Sequence, residues 1–179
     1  LSSIKVNGEA TFNAPFRESD APAPLDAYGR SKWEAEQALS RIAAETGLGV
    51  TVLRPPLIYG PGVKGNIARL LVWIDRGLPL PFASVVNRRS LIYLENLIDA
   101  ILAVMLHPAP GKTYLLSDAY DLSTPQLIRA LARGLDQPPR LLAVPPSLLR
   151  LAGACTGQSD AVGRLLGSLR IDANRIETE

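Results

Sequence analysis

A predicted helix that runs straight into a buried strand governs what this chain can fold into. From Tyr28 to Thr46 the residues read as one helix, closed by Gly47, a residue suited to the left-handed position after a helix end. Gly49-Val50-Thr51-Val52-Leu53-Arg54 follows as a buried strand and stops at Pro55-Pro56, which cannot donate to a sheet ladder. Before the helix stands Leu1-Ser2-Ser3-Ile4, an apolar strand end followed by serines, and after the prolines comes the loop Tyr59-Gly60-Pro61-Gly62. Strand, long loop, helix, strand, loop is the order of a parallel α/β sheet, whose ligands gather at the carboxyl ends of the strands. Ser3, Tyr28 and the Pro55 loop are expected at those ends.

Tyr28 and Lys32 lie four residues apart near the start of this helix and so share a face. A phenol titrates near pH ~10 and is a poor base at neutral pH unless a fixed cation and a low-polarity site favour its phenolate. Lys32 can supply the cation. A tyrosine so tuned can take a proton from a sugar or alcohol hydroxyl while a hydride leaves the same carbon, and can return it afterwards. Ser3 could add a hydroxyl beside the Tyr28 oxygen. A surface pair on an amphipathic helix has the same spacing, so the pair alone leaves both readings open.

Downstream, the apolar run Ile67, Leu70, Leu71, Ile74 predicts a helix to Arg76, closed at Gly77. A strand near Leu91 to Tyr93 leads into a helix from Glu95 to Leu106, ended by His107, and Lys112 to Ser117 predicts another strand. Ser123-Thr124-Pro125-Gln126 opens a helix with a capping-box pattern and an early proline. After Gln137-Pro138-Pro139 the composition shifts. Leu141 to Leu151 is leucine-rich around Pro145-Pro146, and Gly153 to Gly167 is glycine-rich and loosely patterned.

Composition excludes several classes. With 179 residues, 47% of them hydrophobic, the chain can bury one sizeable core, or one core and a small lobe. A net charge of +2 suits an anionic nucleotide but gives no basic stripe for nucleic acid. The lone Cys155 permits no internal disulfide and fits a reducing cytoplasm, and one histidine with one cysteine makes a metal site improbable. The longest apolar run, Leu97 to Leu106, is broken by Asp99 and too short for a bilayer, so no membrane association is expected.

Four segments carry a resemblance. Ser2-Ser3-Ile4-Lys5-Val6-Asn7-Gly8, Tyr28-Gly29-Arg30-Ser31-Lys32, Leu53-Arg54-Pro55-Pro56-Leu57-Ile58-Tyr59-Gly60-Pro61-Gly62 and Asn87-Arg88-Arg89-Ser90-Leu91-Ile92-Tyr93-Leu94 occur in this order within the first two thirds of the chain. Together they resemble the extended short-chain dehydrogenase/reductases, specifically the NAD-dependent sugar-nucleotide epimerase/dehydratase family. The resemblance makes Ser3 the hydroxyl that bonds the substrate oxygen, Tyr28 the acid/base, and Lys32 the residue that holds the nicotinamide ribose and lowers the Tyr28 pKa. It places Pro55 in the nicotinamide pocket, Asn66 and Arg89 on the diphosphate of a UDP-linked sugar, and Leu80 and Phe82 in the uracil pocket. The residues themselves keep other readings open. Asn66 fits a helix N-cap, Arg88-Arg89 solvated surface charge, Leu80 and Phe82 plain core, and Lys5 and Lys64 solvent-facing lysines.

The family also implies architecture. The expected fold is α/β, a partial Rossmann-like parallel sheet with a smaller carboxyl-terminal substrate lobe. Residues 1–60 would form the remainder of the dinucleotide-binding domain, and residues 61–179 mostly the lobe, with some strands and helices returning to the first domain. None of the 14 glycines supplies the Gly-rich turn that holds a dinucleotide pyrophosphate at a helix amino end. The chain is therefore expected to be the carboxyl-terminal part of such an enzyme, binding NAD or NADP weakly or not at all and inactive alone, with an exposed sheet edge. Dehydratases of the family carry Asp-Glu after the serine position, where this chain has Ile4-Lys5. A 4-epimerase or a 4-keto reductase acting on a UDP-linked hexose remains, in surface polysaccharide precursor synthesis. A homodimer through Trp33, Gln37 and Arg41 is expected. The alternative is a module that binds a nucleotide sugar or a partner protein without catalysis.

Overall fold

Asp26 starts the first helix. Its Oδ1 accepts the Gly29 N–H at 2.7 Å, satisfying one of the amide donors that a helix start leaves open, and helix α1 (Ala27–Thr46) ends at Gly47 with φ of 75°. The computed structural model describes residues 1–178. The chain divides into two units, the first made of Leu1–Gly60, Ser90–Tyr120 and the residues from Leu169 on, the second of Pro61–Arg89 and Asp121–Ser168.

In the first unit, strand β1 (Val52–Arg54) pairs in parallel with β4 (Thr113–Leu115), and β2 (Leu57–Tyr59) pairs in parallel with β3 (Leu91–Tyr93). Leu53 lies opposite Tyr114, and Ile58 opposite Ile92. Backbone bonds from Val52 N to Lys112 O (2.9 Å) and Gly111 N to Val50 O (2.7 Å) carry the β1–β4 pairing past the strand ends. On the other side of β1 the first residues of the chain run alongside, with Ser2 N on Leu53 O at 2.7 Å and Ile4 N on Pro55 O at 2.9 Å. Ile4–Val6 then curls into a single helical turn capped by Ser3, so the expected strand end becomes a turn one residue after Ser3.

Strand β4 is buried on both faces, as parallel sheets require. Tyr114 and Leu116 join Leu53, Ile92 and Leu97 in one cluster, while Leu115, between them, joins Ile4, Leu169 and Ile171 in another. Helix α3 (Leu94–Leu106) follows β3 without a break and ends at His107, whose N–H reaches Ala103 O at 2.8 Å. Helix α7 (Asn174–Thr178) packs against β4. The long loop before α1 is tied down at Phe16, which bridges in parallel to Ile171.

In the second unit, helix α2 (Gly65–Asp75) packs on helix α4 (Thr124–Gly134) through Leu70, Ile74, Ile128 and Ala132. The capping box of α4 is formed, with Ser123 N–H donating to Gln126 Oε1 at 2.8 Å and Gln126 N–H to Ser123 Oγ at 3.3 Å. The loosely patterned segment folds into two helices, α5 (Pro146–Cys155) and α6 (Ser159–Leu166). They are too short to display a clear period, and Gly153 marks their contact: a Cβ there would lie 2.8 Å from Val162 Cγ2. Among the described residues no helix is long and apolar enough to cross a membrane.

Candidate active site

Helix α1 has 20 residues, of which only Gly29 and Glu36 are buried. These two positions, two turns apart, seat the helix that carries Tyr28 and Lys32. Gly29 has an ordinary helical backbone, so its lack of a side chain serves proximity. A Cβ there would stand 2.7 Å from Lys5 O. The residue after Tyr28 is thereby pressed against the turn that Ser3 caps. Lys5 strengthens this join, its Nζ pairing with Asp26 Oδ2 and, at 3.1 Å, with Glu9 Oε1. Lys5 is thus an ion-paired residue at the helix start and not a free surface cation. Its partners raise its pKa against the opposing effect of burial, and Lys5, followed by the Gly29 N–H, holds the Asp26 carboxyl below the usual carboxylate range.

Ser3 Oγ accepts the Lys5 N–H at 3.3 Å, leaving its own O–H to donate. Tyr28 is 51% exposed, and Lys32 Nζ lies 5.7 Å from the centre of its ring. Lys32 has no carboxylate partner among the described residues. Pro55 is buried, its carbonyl occupied by Ile4 N–H. The structure therefore brings Tyr28 and Lys32 together, and joins the turns of Ser3, Tyr28 and Pro55 through Lys5, Gly29 and Ile4.

A buried ion pair lies behind them, which sequence reasoning missed. Arg54, at the end of β1, donates from Nε to Glu36 Oε1 at 3.0 Å and from NH2 to Glu36 Oε2 at 2.6 Å. Its NH1 donates to Asn7 Oδ1 at 2.9 Å, and Ser2 Oγ donates to Glu36 Oε1. The guanidinium carbon sits 5.9 Å from the Trp33 ring centre. A signal was present in the sequence: Arg54 is a charge inside an apolar strand, and Glu36 falls two turns from Gly29 on α1.

A second, half-buried hub stands at Asp118. Its carboxylate accepts Tyr59 O–H at 2.8 Å, Asn96 Nδ2 at 2.8 Å and the Tyr93 N–H at 3.1 Å. Burial, then the Asp118 bond and charge, pushes the Tyr59 phenol up to about 12. Tyr59 and Tyr93 lie with ring centres 5.4 Å apart, and Gly60 fits beneath, where a Cβ would meet Leu94 Cβ at 3.0 Å.

Asn66, Leu80, Phe82 and Arg89 belong to the second unit. Asn66 lies inside α2, whose cap position is Lys64, so it is not the N-cap. Its half-buried amide makes no side-chain hydrogen bond among the described residues. Leu80 and Phe82 are 4% and 7% exposed and pack with Ile74, Val85 and Ile128, while their N–H and C=O groups are taken by Arg140, Leu142 and Val85 and by each other. Both residues thus belong to the apolar core of the second unit. Arg89 is largely buried, not solvated surface charge as Arg88 is. Its NH1 donates to Arg164 O at 2.6 Å and Gly167 O at 3.1 Å, closing the carboxyl end of α6. Desolvation, then the nearby Arg164 charge, pulls its pKa down. Asn87 works beside it, with its Nδ2 on Thr124 Oγ1 (3.0 Å), Leu165 O (3.1 Å) and Gly167 O (3.0 Å). The side chain of Arg164 lines an open groove of about 630 Å³ with Arg69 and Trp73 of α2 and Asp160 of α6. Among the described residues no group of His, Cys, Asp and Glu is arranged to hold a metal.

Residues 1–117 match the model of the NAD dependent epimerase/dehydratase family. The chain is 45% identical over 175 residues to a UDP-glucose 4-epimerase of Vibrio cholerae, covering 96% of this chain and 53% of that protein. It is 28% identical over 192 residues to an N-acetyl-alpha-D-glucosaminyl-diphospho-ditrans,octacis-undecaprenol 4-epimerase of Escherichia coli O157:H7, covering 99% of this chain and 57% of that protein. The fold matches a UDP-glucose 4-epimerase of Thermotoga maritima solved with UDP-glucose at a TM-score of 0.70 and 22% identity, over 98% of this chain and 54% of that one. The chain thus spans about half the length of the curated relatives it matches.

Proposed function

The chain belongs to the NAD dependent epimerase/dehydratase family, and from that premise we propose that it carries the acid–base machinery of a sugar-nucleotide 4-epimerase acting on a UDP-linked hexose. The observation that carries this reading is the first turn of α1, where Lys32 Nζ lies 5.7 Å from the Tyr28 ring centre and Gly29 seats the turn against the Ser3 loop. Tyr28 takes the proton of the sugar 4-hydroxyl as its carbon is oxidised and returns it when the 4-keto sugar is reduced. Ser3 donates to the same sugar oxygen. Lys32, with Pro55, would hold the nicotinamide ribose end of the dinucleotide. NAD, when bound, accepts the hydride and gives it back. The residues here fit that end of the cofactor, since Lys32 has an ammonium without a carboxylate partner and Tyr28 an accessible phenol. They offer no Gly-rich turn for its pyrophosphate, so the 179 residues alone are proposed to bind it weakly and not to turn over.

The diphosphate of the sugar nucleotide is assigned to Asn66 and Arg89, with Arg164 beside Arg89. Two guanidiniums close enough for one to lower the pKa of the other are a natural seat for an anion. An epimerase is favoured over a reductase because both curated relatives compared above bear 4-epimerase names. The outward face of α1 exposes Leu39 and Ile42 beside Gln37 and Arg41, which supports a homodimer through this helix. The proposed setting is cytoplasmic synthesis of polysaccharide precursors.

The test is a calorimetric titration with UDP, UDP-glucose, UDP-N-acetylglucosamine and dTDP-glucose, repeated with Arg89→Ala and accompanied by melting curves. Binding of the UDP compounds that weakens by about 2 kcal/mol or more in a folded Arg89→Ala chain is the expected result. UDP binding untouched by that change would refute the diphosphate assignment. The NAD-loaded enzyme is this chain assembled with a separately expressed dinucleotide-binding half that supplies the Gly-rich turn, and if that assembly leaves UDP-glucose and UDP-N-acetylglucosamine unconverted the epimerase reading is refuted.

A further inference from the structure

We propose that Glu36, Arg54, Ser2 and Asn7 form a positioning network that fixes the register of α1 against the Ser3 turn, and that this register is what turnover requires of them. The inference rests on the reading of Tyr28, Lys32 and Ser3 as the acid–base set.

Each member of the network lies next to that set or to Pro55, on the same helix, turn or strand end. Ser2 precedes Ser3, and Asn7 closes the turn that Ser3 opens. Arg54 precedes Pro55, while Glu36 follows Lys32 by one helical turn and Tyr28 by two. The four groups are buried, at 8% exposure for Ser2, 3% for Asn7, 8% for Glu36 and 4% for Arg54. No other titratable group is paired with Glu36 or Arg54 among the described residues.

Stability alone does not explain such an arrangement. A buried ion pair loses hydration roughly as large as its attraction, and apolar residues of similar volume commonly replace one without loss. A guanidinium that donates two bonds to one carboxylate and a third to Asn7 constrains direction and translation, which apolar packing does not. Apolar cores that are repacked tend to lose uniqueness before they lose stability. Helix α1 depends on this constraint because Glu36 is its only buried side chain, Gly29 having none. Without the pair, α1 rests on Gly29 and on half-buried residues such as Trp33 and Ala38 and is free to slide along its axis. A shift of about 1 Å in a catalytic group can cost on the order of 100-fold in rate.

The test replaces the whole network by apolar residues, Ser2→Ala, Asn7→Leu, Glu36→Met and Arg54→Met, so that no polar group is left unpartnered. Spin labels at Gln37→Cys and Asp99→Cys, with Cys155→Ser, report the separation of α1 from α3 within the first unit by pulsed electron resonance. The expected result is a melting midpoint close to the parent's, a distance distribution that broadens or shifts, and a kcat in the NAD-loaded enzyme lowered at least 10-fold with KM changed less than 2-fold. An unchanged distribution, or a kcat that recovers along with stability, overturns the proposal. Should the apolar variant fail to fold, Arg54→Lys keeps the charge and removes the two-point geometry. The same kcat loss at constant KM is expected there, and full activity would refute the proposal. If the parent chain assembled with the dinucleotide-binding half and loaded with NAD converts no sugar nucleotide, the function assigned above is refuted, and the distance measurement then decides the network by itself.

Discussion

Replacing Gly29 by alanine tests the seating of α1 directly. Inside a helix alanine is favoured over glycine by about 1 kcal/mol, so local propensity alone predicts a more stable protein. The structure predicts the opposite sign. The new Cβ would stand 2.7 Å from Lys5 O, 3.1 Å from Asp26 Oδ1 and 3.2 Å from Pro24 Cβ, where ordinary contact begins at 3.4 Å. The nearest of these is backbone, so the helix start and the Ser3 turn must separate by about 0.7 Å. Overpacking of this size costs about 1 to 3 kcal/mol. Set against the propensity gain, the net change runs from almost none to a loss of about 2 kcal/mol. The assay is urea denaturation followed by far-ultraviolet circular dichroism, with the slope compared to confirm an unchanged unfolded state. In the NAD-loaded enzyme the same separation should lower kcat 10-fold or more, because Tyr28 moves with the turn. A Gly29→Ala protein more stable than its parent would mean that the close approach does not seat the helix. One that is less stable but fully active would mean that the seat does not place Tyr28.

Tyr59→Phe removes the hydroxyl that Asp118 holds and should destabilise the first unit by about 1 to 2 kcal/mol at neutral pH, measured by urea midpoint. The folded phenol is raised to about 12 against an unfolded value near ~10, so its contribution is complete below pH ~10 and fades as pH climbs toward 12. The difference between the two proteins should therefore shrink across that window, and a constant difference would refute the assignment. Asp26→Ala should cost about 1 kcal/mol through loss of the α1 cap. Here the folded carboxyl lies below its unfolded value, so the contribution is present above pH ~4 and is lost as pH falls through the folded value. A loss that persists undiminished at pH ~2 would contradict this.

What could be read from the sequence was local. The carboxyl end of α1 was legible because Gly47 announces it where it acts, and Ser123 and Gln126 announce the start of α4 in the same way. The Tyr28–Lys32 pair was legible because helical spacing fixes it. The groups that seat α1 were not, since Arg54 and Glu36 stand 18 residues apart and nothing in either neighbourhood names the other. Asp118 gathers Tyr59 from 59 residues away and was missed for the same reason. Arg89 shows the reverse failure: its basic neighbours suggested a solvated surface, yet carbonyls at the end of α6 bury it. Leu80 and Phe82 follow the simplest physical rule, apolar side chains inside.

The interleaving of the two units sets an order in time. The chain passes between them at residues 60, 89, 120 and 168, so neither unit is a single stretch. Thr11 accepts the Arg170 N–H across 159 residues, and Leu169 and Ile171 complete a cluster begun by Ile4. A ribosome that makes this chain releases the first unit's opening segment long before the residues that finish its core. That unit cannot close vectorially. Through most of synthesis Ile4 lacks Leu115, Leu169 and Ile171, its partners in that cluster, and contacts so distant in sequence slow folding.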